Sequence, residues 1–268
     1  MTMNTSLPSR RTVLIAAVGF PLFSVHAQVN DLGDAINKAG RQRMLSQRMG
    51  KAWLALVHGV EKSSAQAALD KSMALFDRQL VELKAYAASA DIKETYSKLE
   101  SSWSGYKAAL VGTVPSRENA ANMLHLSAGV LALAHQGTVQ YEMVQGKPSG
   151  KLVNMAGRQR MLSQRMAMYF LAARLPVDAA AATSEIDKAR TEFMTAMGVL
   201  HKAPETTPRI EEDLKIADSQ WLFFESALKK VTLTESSTPK ALIDVFQASE
   251  NLLVVMDRVT GMYSSLKT

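Results

Sequence analysis

The chain has 268 residues, 47% of them hydrophobic and 21% charged, which excludes bulk disorder and leaves room for one large or two small domains. It contains no cysteine, which excludes disulfides, thiolate metal sites, a cysteine nucleophile and a lipid anchor on cysteine. The net charge is +6, of which Arg10 and Arg11 of the leader supply two, and the remaining surplus of about +4 is too mild to argue for nucleic acid.

Residues 1–27 read as an address. Ser9-Arg10-Arg11 precedes an apolar run from Val13 to Phe23, and Val25-His26-Ala27 resembles a small-residue cleavage site. The paired arginines resemble a twin-arginine (Tat) signal, with Val13 and Ile15 where that pattern favours Phe and Lys; an ordinary Sec signal is the alternative. Either route predicts a periplasmic protein that does not span the membrane once the signal is removed.

The mature part reads as all-α. Helices are expected at 30–59, 62–89, 92–112, 116–145, 151–174, 179–202, 208–231 and 239–266. Breaks fall at Gly59, Asp91, Pro115, Pro176, Pro204 and Pro239, and helix starts at Ser116/Asn119 and Ser237/Thr238. The chain is also internally repeated. Ala39–Met49 and Ala156–Met166 both read AGRQRMLSQRM, 117 residues apart. Asn37 and Phe76 match Asn154 and Phe193 at the same spacing, while Trp103 and Tyr141 match Trp221 and Tyr263 with slippage. The expectation is two tandem antiparallel four-helix bundles, 28–147 and 150–268, related by a pseudo-twofold and joined by a turn at 146–150.

Eleven identical residues in halves that otherwise differ need a shared task, because cores and surfaces both tolerate substitution. On a helix, Ile36, Gly40, Arg43, Gln47, Gly50 and Leu54 form one stripe, and Val153, Gly157, Arg160, Gln164, Ala167 and Leu171 form its copy. Small residues admit a second backbone, and an arginine between them is partly desolvated, which is costly without something negative opposite. If the halves pack along their first helices, Arg43 and Arg160 meet, and an anion between two guanidiniums would relieve their repulsion. Arg43 and Arg160 are therefore the principal candidate anion ligands. Gln47, Gln164, Gly40, Gly157, Arg41, Arg158, Arg48 and Arg165 are secondary. For the four flanking arginines the competing reading is solvation or pairing with bundle carboxylates.

Other chemistry is not indicated. The histidines lack paired metal-ligand spacing, and the methionines suit core filling. No phosphate loop, nucleophile elbow or Glu-x-x-His pair is present, so neither an enzyme nor a cofactor is expected. Trp103 and Trp221 are expected to anchor the third helix of each half.

Asn37-x-Ala39-Gly40-Arg41-Gln42-Arg43-Met44-Leu45-Ser46-Gln47-Arg48-Met49 resembles the opening helix of the PilJ/NarX-type sensor domain. That domain is the periplasmic four-helix module of nitrate/nitrite sensor kinases and type IV pilus chemotaxis transducers, and the wording here is closer to the transducer version. The resemblance implies a small oxyanion such as nitrate or nitrite, held between two copies of this helix by the arginine that precedes a methionine. Those positions are Arg43 and Arg160. The chain ends at Thr268 without a second membrane segment, HAMP linker, kinase or methyl-accepting region, so a membrane receptor or sensor partner is expected to read its state. The alternative is an adaptor that docks on a membrane receptor through the duplicated helix, with no small ligand.

Overall fold

A computed structural model describes residues 28–112, 114–229 and 238–266. The leader and Ser237 lie outside the described residues. Eight helices follow in chain order: α1 (Leu32–His58), α2 (Lys62–Tyr86), α3 (Ala90–Val111), α4 (Ala120–Gln145), α5 (Pro148–Ala172), α6 (Ala179–Lys202), α7 (Pro208–Lys229) and α8 (Pro239–Ser264). Among the described residues there is no strand, and no helix is long and apolar enough to cross a membrane.

Local chemistry fixes the ends. The Asp31 carboxylate accepts from the Asp34 amide at 2.8 Å to start α1, and Gly59 ends it at φ 70, a left-handed conformation that glycine adopts without penalty. Ser89, Asp178 and Thr238 cap α3, α6 and α8 in the same way, with Pro239 opening the first turn of α8. Several boundaries differ from expectation: α1 starts at Leu32 rather than 30, and α2 ends at Tyr86 rather than 89. The Ser89 cap starts α3 two residues early and places Asp91 inside it, while a turn over 117–119 delays α4 to Ala120. The link between the halves is also tighter than expected: left-handed Gly146 ends α4 and Pro148 already opens α5.

Each half is an up-and-down bundle. α1 packs on α2 and α4, and α3 on α2 and α4; α5 likewise packs on α6 and α8, and α7 on α6 and α8. The cores repeat in detail. Trp103 lies on Phe76 with ring centroids 4.2 Å apart, and Trp221 on Phe193 at 4.5 Å. The Tyr141 hydroxyl donates to the Leu83 carbonyl at 2.8 Å, and the Tyr263 hydroxyl donates to the Leu200 carbonyl at 3.3 Å. The broadest contact in the molecule is α1 against α5, flanked by α8 on α1 and α4 on α5. The duplicated segments therefore lie against each other at the centre.

Candidate functional site at the α1–α5 crossing

Gly40 and Gly157 make the crossing close. A Cβ added to Gly40 would sit 3.2 Å from Arg43 Nη2, 3.5 Å from Arg160 Nη2 and 4.0 Å from the Gly157 Cα. A Cβ on Gly157 would meet Arg160 Nη2 at 3.1 Å and Arg43 Nη2 at 3.7 Å. Two arginines thus converge over two glycines, and both are wholly buried.

Their hydrogen bonds cross between the halves. Arg43 Nη2 donates to the Asn154 carbonyl at 3.2 Å and to its Oδ1 at 2.7 Å. Arg160 Nη2 donates to the Asn37 carbonyl at 3.1 Å. Asn37 and Asn154 are the matched residues that precede each AGRQRMLSQRM, so the repeat supplies acceptors as well as donors. The remaining nitrogens separate the two sites. Arg160 Nη1 is ion-paired to Asp257 of α8, which also accepts from Arg41 Nη2 at 2.9 Å. Arg43 Nη1 instead meets Nδ1 of His135 on α4 at 3.2 Å. Among the described residues no carboxylate pairs with Arg43, and the Nε of both arginines lacks a partner.

The electrostatics follow. Burial draws Arg43 down to about 9, helped by the charges of Arg158 and Arg160 and resisted by Glu192 and Glu142. Arg160 is drawn to about 10, also chiefly by burial, with Asp257 opposing. Both stay charged at neutral pH, as guanidiniums do. His135 is held down to about 4 by burial and then by Arg43 and Arg158, so its imidazole is neutral and Nδ1 accepts from Arg43. Burial raises the Asp257 pKa, but Arg160 and Arg41 outweigh it and bring the carboxyl to about 2. Around the crossing, Arg41, Arg43, Arg158 and Arg160 face Asp257, Glu192 and Glu142; none of these acids bonds Arg43 directly, and Glu142 reaches it only through the Asn154 amide.

The flanking arginines pair with carboxylates. Arg41 and Arg48 reach across to Asp257 and Glu250 of α8, Arg48 Nη2 at 2.5 Å. Arg158 and Arg165 reach Glu192 and Glu185 of α6, Arg165 Nη2 at 2.6 Å. Arg41 and Arg48 are one-fifth exposed, and so reach more solvent than the wholly buried Arg43 and Arg160. Gln47 and Gln164 are not brought to Arg43 or Arg160, although Gln47 Oε1 accepts from Arg165 Nη1 across the halves at 3.2 Å. One turn further along, their amides face α4 and α8, donating to the Ser127 hydroxyl at 3.0 Å and the Ser249 carbonyl at 2.9 Å. Beside Arg48, buried Lys51 Nζ donates to Glu250 Oε1 at 2.6 Å and to Ser249 Oγ at 2.8 Å.

His135 and Asp257 belong to no motif and are not among the residues expected from the sequence to form the site. The readable signal was positional: each lies six residues before a matched tyrosine, Tyr141 or Tyr263. A groove of about 340 Å³ runs past His135 between α4, α5 and α6, with Arg158, Arg165, Lys188, Glu185 and Glu192 on its walls. Among the described residues no cluster of His, Asp and Glu could hold a metal ion.

No curated protein and no solved structure matches the chain. A family model described as PilJ, type IV pili methyl-accepting chemotaxis transducer N-term, matches twice, over residues 25–128 and 141–246. Both matches contain the AGRQRMLSQRM helix, the next two helices and the start of the fourth, and together they cover most of the chain, so the protein belongs to the PilJ family of sensor-type helical domains, carried here in duplicate.

Proposed function

We propose that this protein is an exported, periplasmic ligand-binding member of its family that takes a small oxyanion, nitrate or nitrite, at the Arg43–Arg160 crossing and passes its state to a membrane receptor rather than catalysing a reaction. The observation that carries this reading is a wholly buried Arg43 with only neutral hydrogen-bond partners. A buried, uncompensated charge is costly, and a monoanion is the simplest species that removes the cost. Planar oxyanions suit guanidinium nitrogens, which present donors in one plane. The family description, a transducer N-terminal domain, fits recognition rather than catalysis. The docking alternative loses its surface: the duplicated stripe is consumed within the chain, with Gly40, Arg43, Gln47 and their copies buried.

The test is a thermal-melt titration of the purified mature chain at low ionic strength. Sodium nitrate or nitrite is expected to raise Tm, and Arg43→Ala or Arg160→Ala to abolish the rise. No rise with either salt overturns the reading.

A further inference from the structure

The duplicated helices are identical over eleven residues, yet the groups that face their central arginines are not. The registers of α4 and α8 can be aligned without reference to charge. Ser127 and Ser249 receive Gln47 and Gln164; Thr138 and Thr260 each donate back to a carbonyl one turn earlier, both at 2.7 Å; Tyr141 and Tyr263 tie each helix to the end of the second helix in its half. All three pairs keep one spacing, and that spacing makes His135 the counterpart of Asp257. The Arg160 half therefore holds a carboxylate where the Arg43 half holds an imidazole.

We infer that Asp257 is a built-in counter-ion that permanently fills the Arg160 half, so that the chain takes a single monoanion, on the Arg43 side, entering through the α4–α5–α6 groove beside His135. This rests on the anion reading above. Asp257 does what a bound oxyanion would do: it is ion-paired with Arg160 and accepts from Arg41. A second anion there would face that carboxylate at close range. In the Arg43 half no carboxylate among the described residues touches the central arginine directly, and Glu142 reaches it only through the Asn154 amide. His135 Nδ1 accepts from Arg43, which places the ring proton on Nε2 and makes that nitrogen a donor. The ring is half-buried and forms part of the groove wall together with Arg158, the counterpart of Arg41. The acids of that groove, Glu192 and Glu185, are already engaged by Arg158 and Arg165. The groove holds several times the volume of a water molecule, about 30 Å³ in the liquid, enough for a small oxyanion and its remaining hydration.

Calorimetric titration with sodium nitrate and sodium nitrite, in buffer free of other small anions, tests this on the wild type, His135→Asp and Asp257→Asn. One anion per wild-type chain is expected. His135→Asp should weaken binding at least tenfold while raising Tm in anion-free buffer, because it supplies Arg43 with the carboxylate its twin already has. Asp257→Asn should raise the stoichiometry to two. Two anions per wild-type chain, or unchanged affinity in His135→Asp, overturns the inference. If the wild type binds neither anion, the function proposed above fails, and the melt of His135→Asp still decides the asymmetry: a Tm no higher than wild type overturns it. If Asp257→Asn does not fold, the wild-type stoichiometry and His135→Asp decide.

Discussion

The two copies of AGRQRMLSQRM make the same contacts close to the backbone and different ones at their tips. In both copies the serine hydroxyl donates to the carbonyl of the central arginine, at 2.8 Å for Ser46 and 2.9 Å for Ser163, and the glutamine amide donates to that serine. At the tips, the flanking arginines of the first copy find their acids on α8 of the other half, and those of the second find theirs on α6 of its own half, while Arg160 pairs with Asp257 of α8. The counterparts of Glu192 and Glu185 on α2 are Leu75 and Ala68, and the counterparts of Lys51 and Glu250 are Met168 and Ala128. The acids have changed sides while the arginines have not. An identical helix thus carries one central arginine in direct contact with a carboxylate and one that is not.

The largest expected effect comes from removing the internal neutraliser. Asp257→Ala strands buried Arg160 and is expected to cost about 3 kcal/mol, the low end for a broken buried pair because the carboxylate itself keeps contact with water. Glu192→Ala, opposite the more exposed Arg158, should cost at most about 1 kcal/mol. Urea unfolding of both variants checks the contrast, and equal losses would break it.

The second effect has the opposite sign. Arg43→Met removes an uncompensated buried charge and replaces it with a flexible apolar chain, so in anion-free buffer it should stabilise the fold by about 1 kcal/mol. Arg160→Met should not stabilise, since it leaves Asp257 with Arg41 alone. A destabilised Arg43→Met would mean that its bonds to Asn154 outweigh the charge.

The smallest effect is a pH dependence. The folded His135 pKa of about 4 lies below the ordinary 6.5, so the unfolded chain binds its proton first. Its share of stability is complete above about pH 6.5 and falls as pH drops toward 4. The charges facing it are Arg43 of α1, Arg158 of α5 and Glu192 of α6. His58 is shifted in the same sense, so the useful quantity is the difference between wild type and His135→Gln. That difference should grow on acidification through this window.

Much of the fold was legible because helix periodicity, Gly59, Gly146 and the proline positions are local signals. The exceptions were local too: the Ser89 cap outweighed the break expected at Asp91, and a turn over 117–119 outweighed Ser116. In the candidate site, small-residue spacing singled out Arg43 and Arg160, because close backbones and buried heads follow from glycine at helical intervals. What faces them was not legible from the repeat. His135 and Asp257 lie 92 and 97 residues from their arginines and belong to no motif. Only the tertiary register of α4 against α8 brings them into correspondence.

The most direct test of an uncompensated Arg43 is anomalous diffraction from crystals grown in sodium bromide, a heavy monoanion. One bromide peak per chain is expected at the crossing, within hydrogen-bonding reach of Arg43, and none bridging Arg160 and Arg41. A bromide between Arg160 and Arg41, or none near Arg43 at saturating salt, would contradict it.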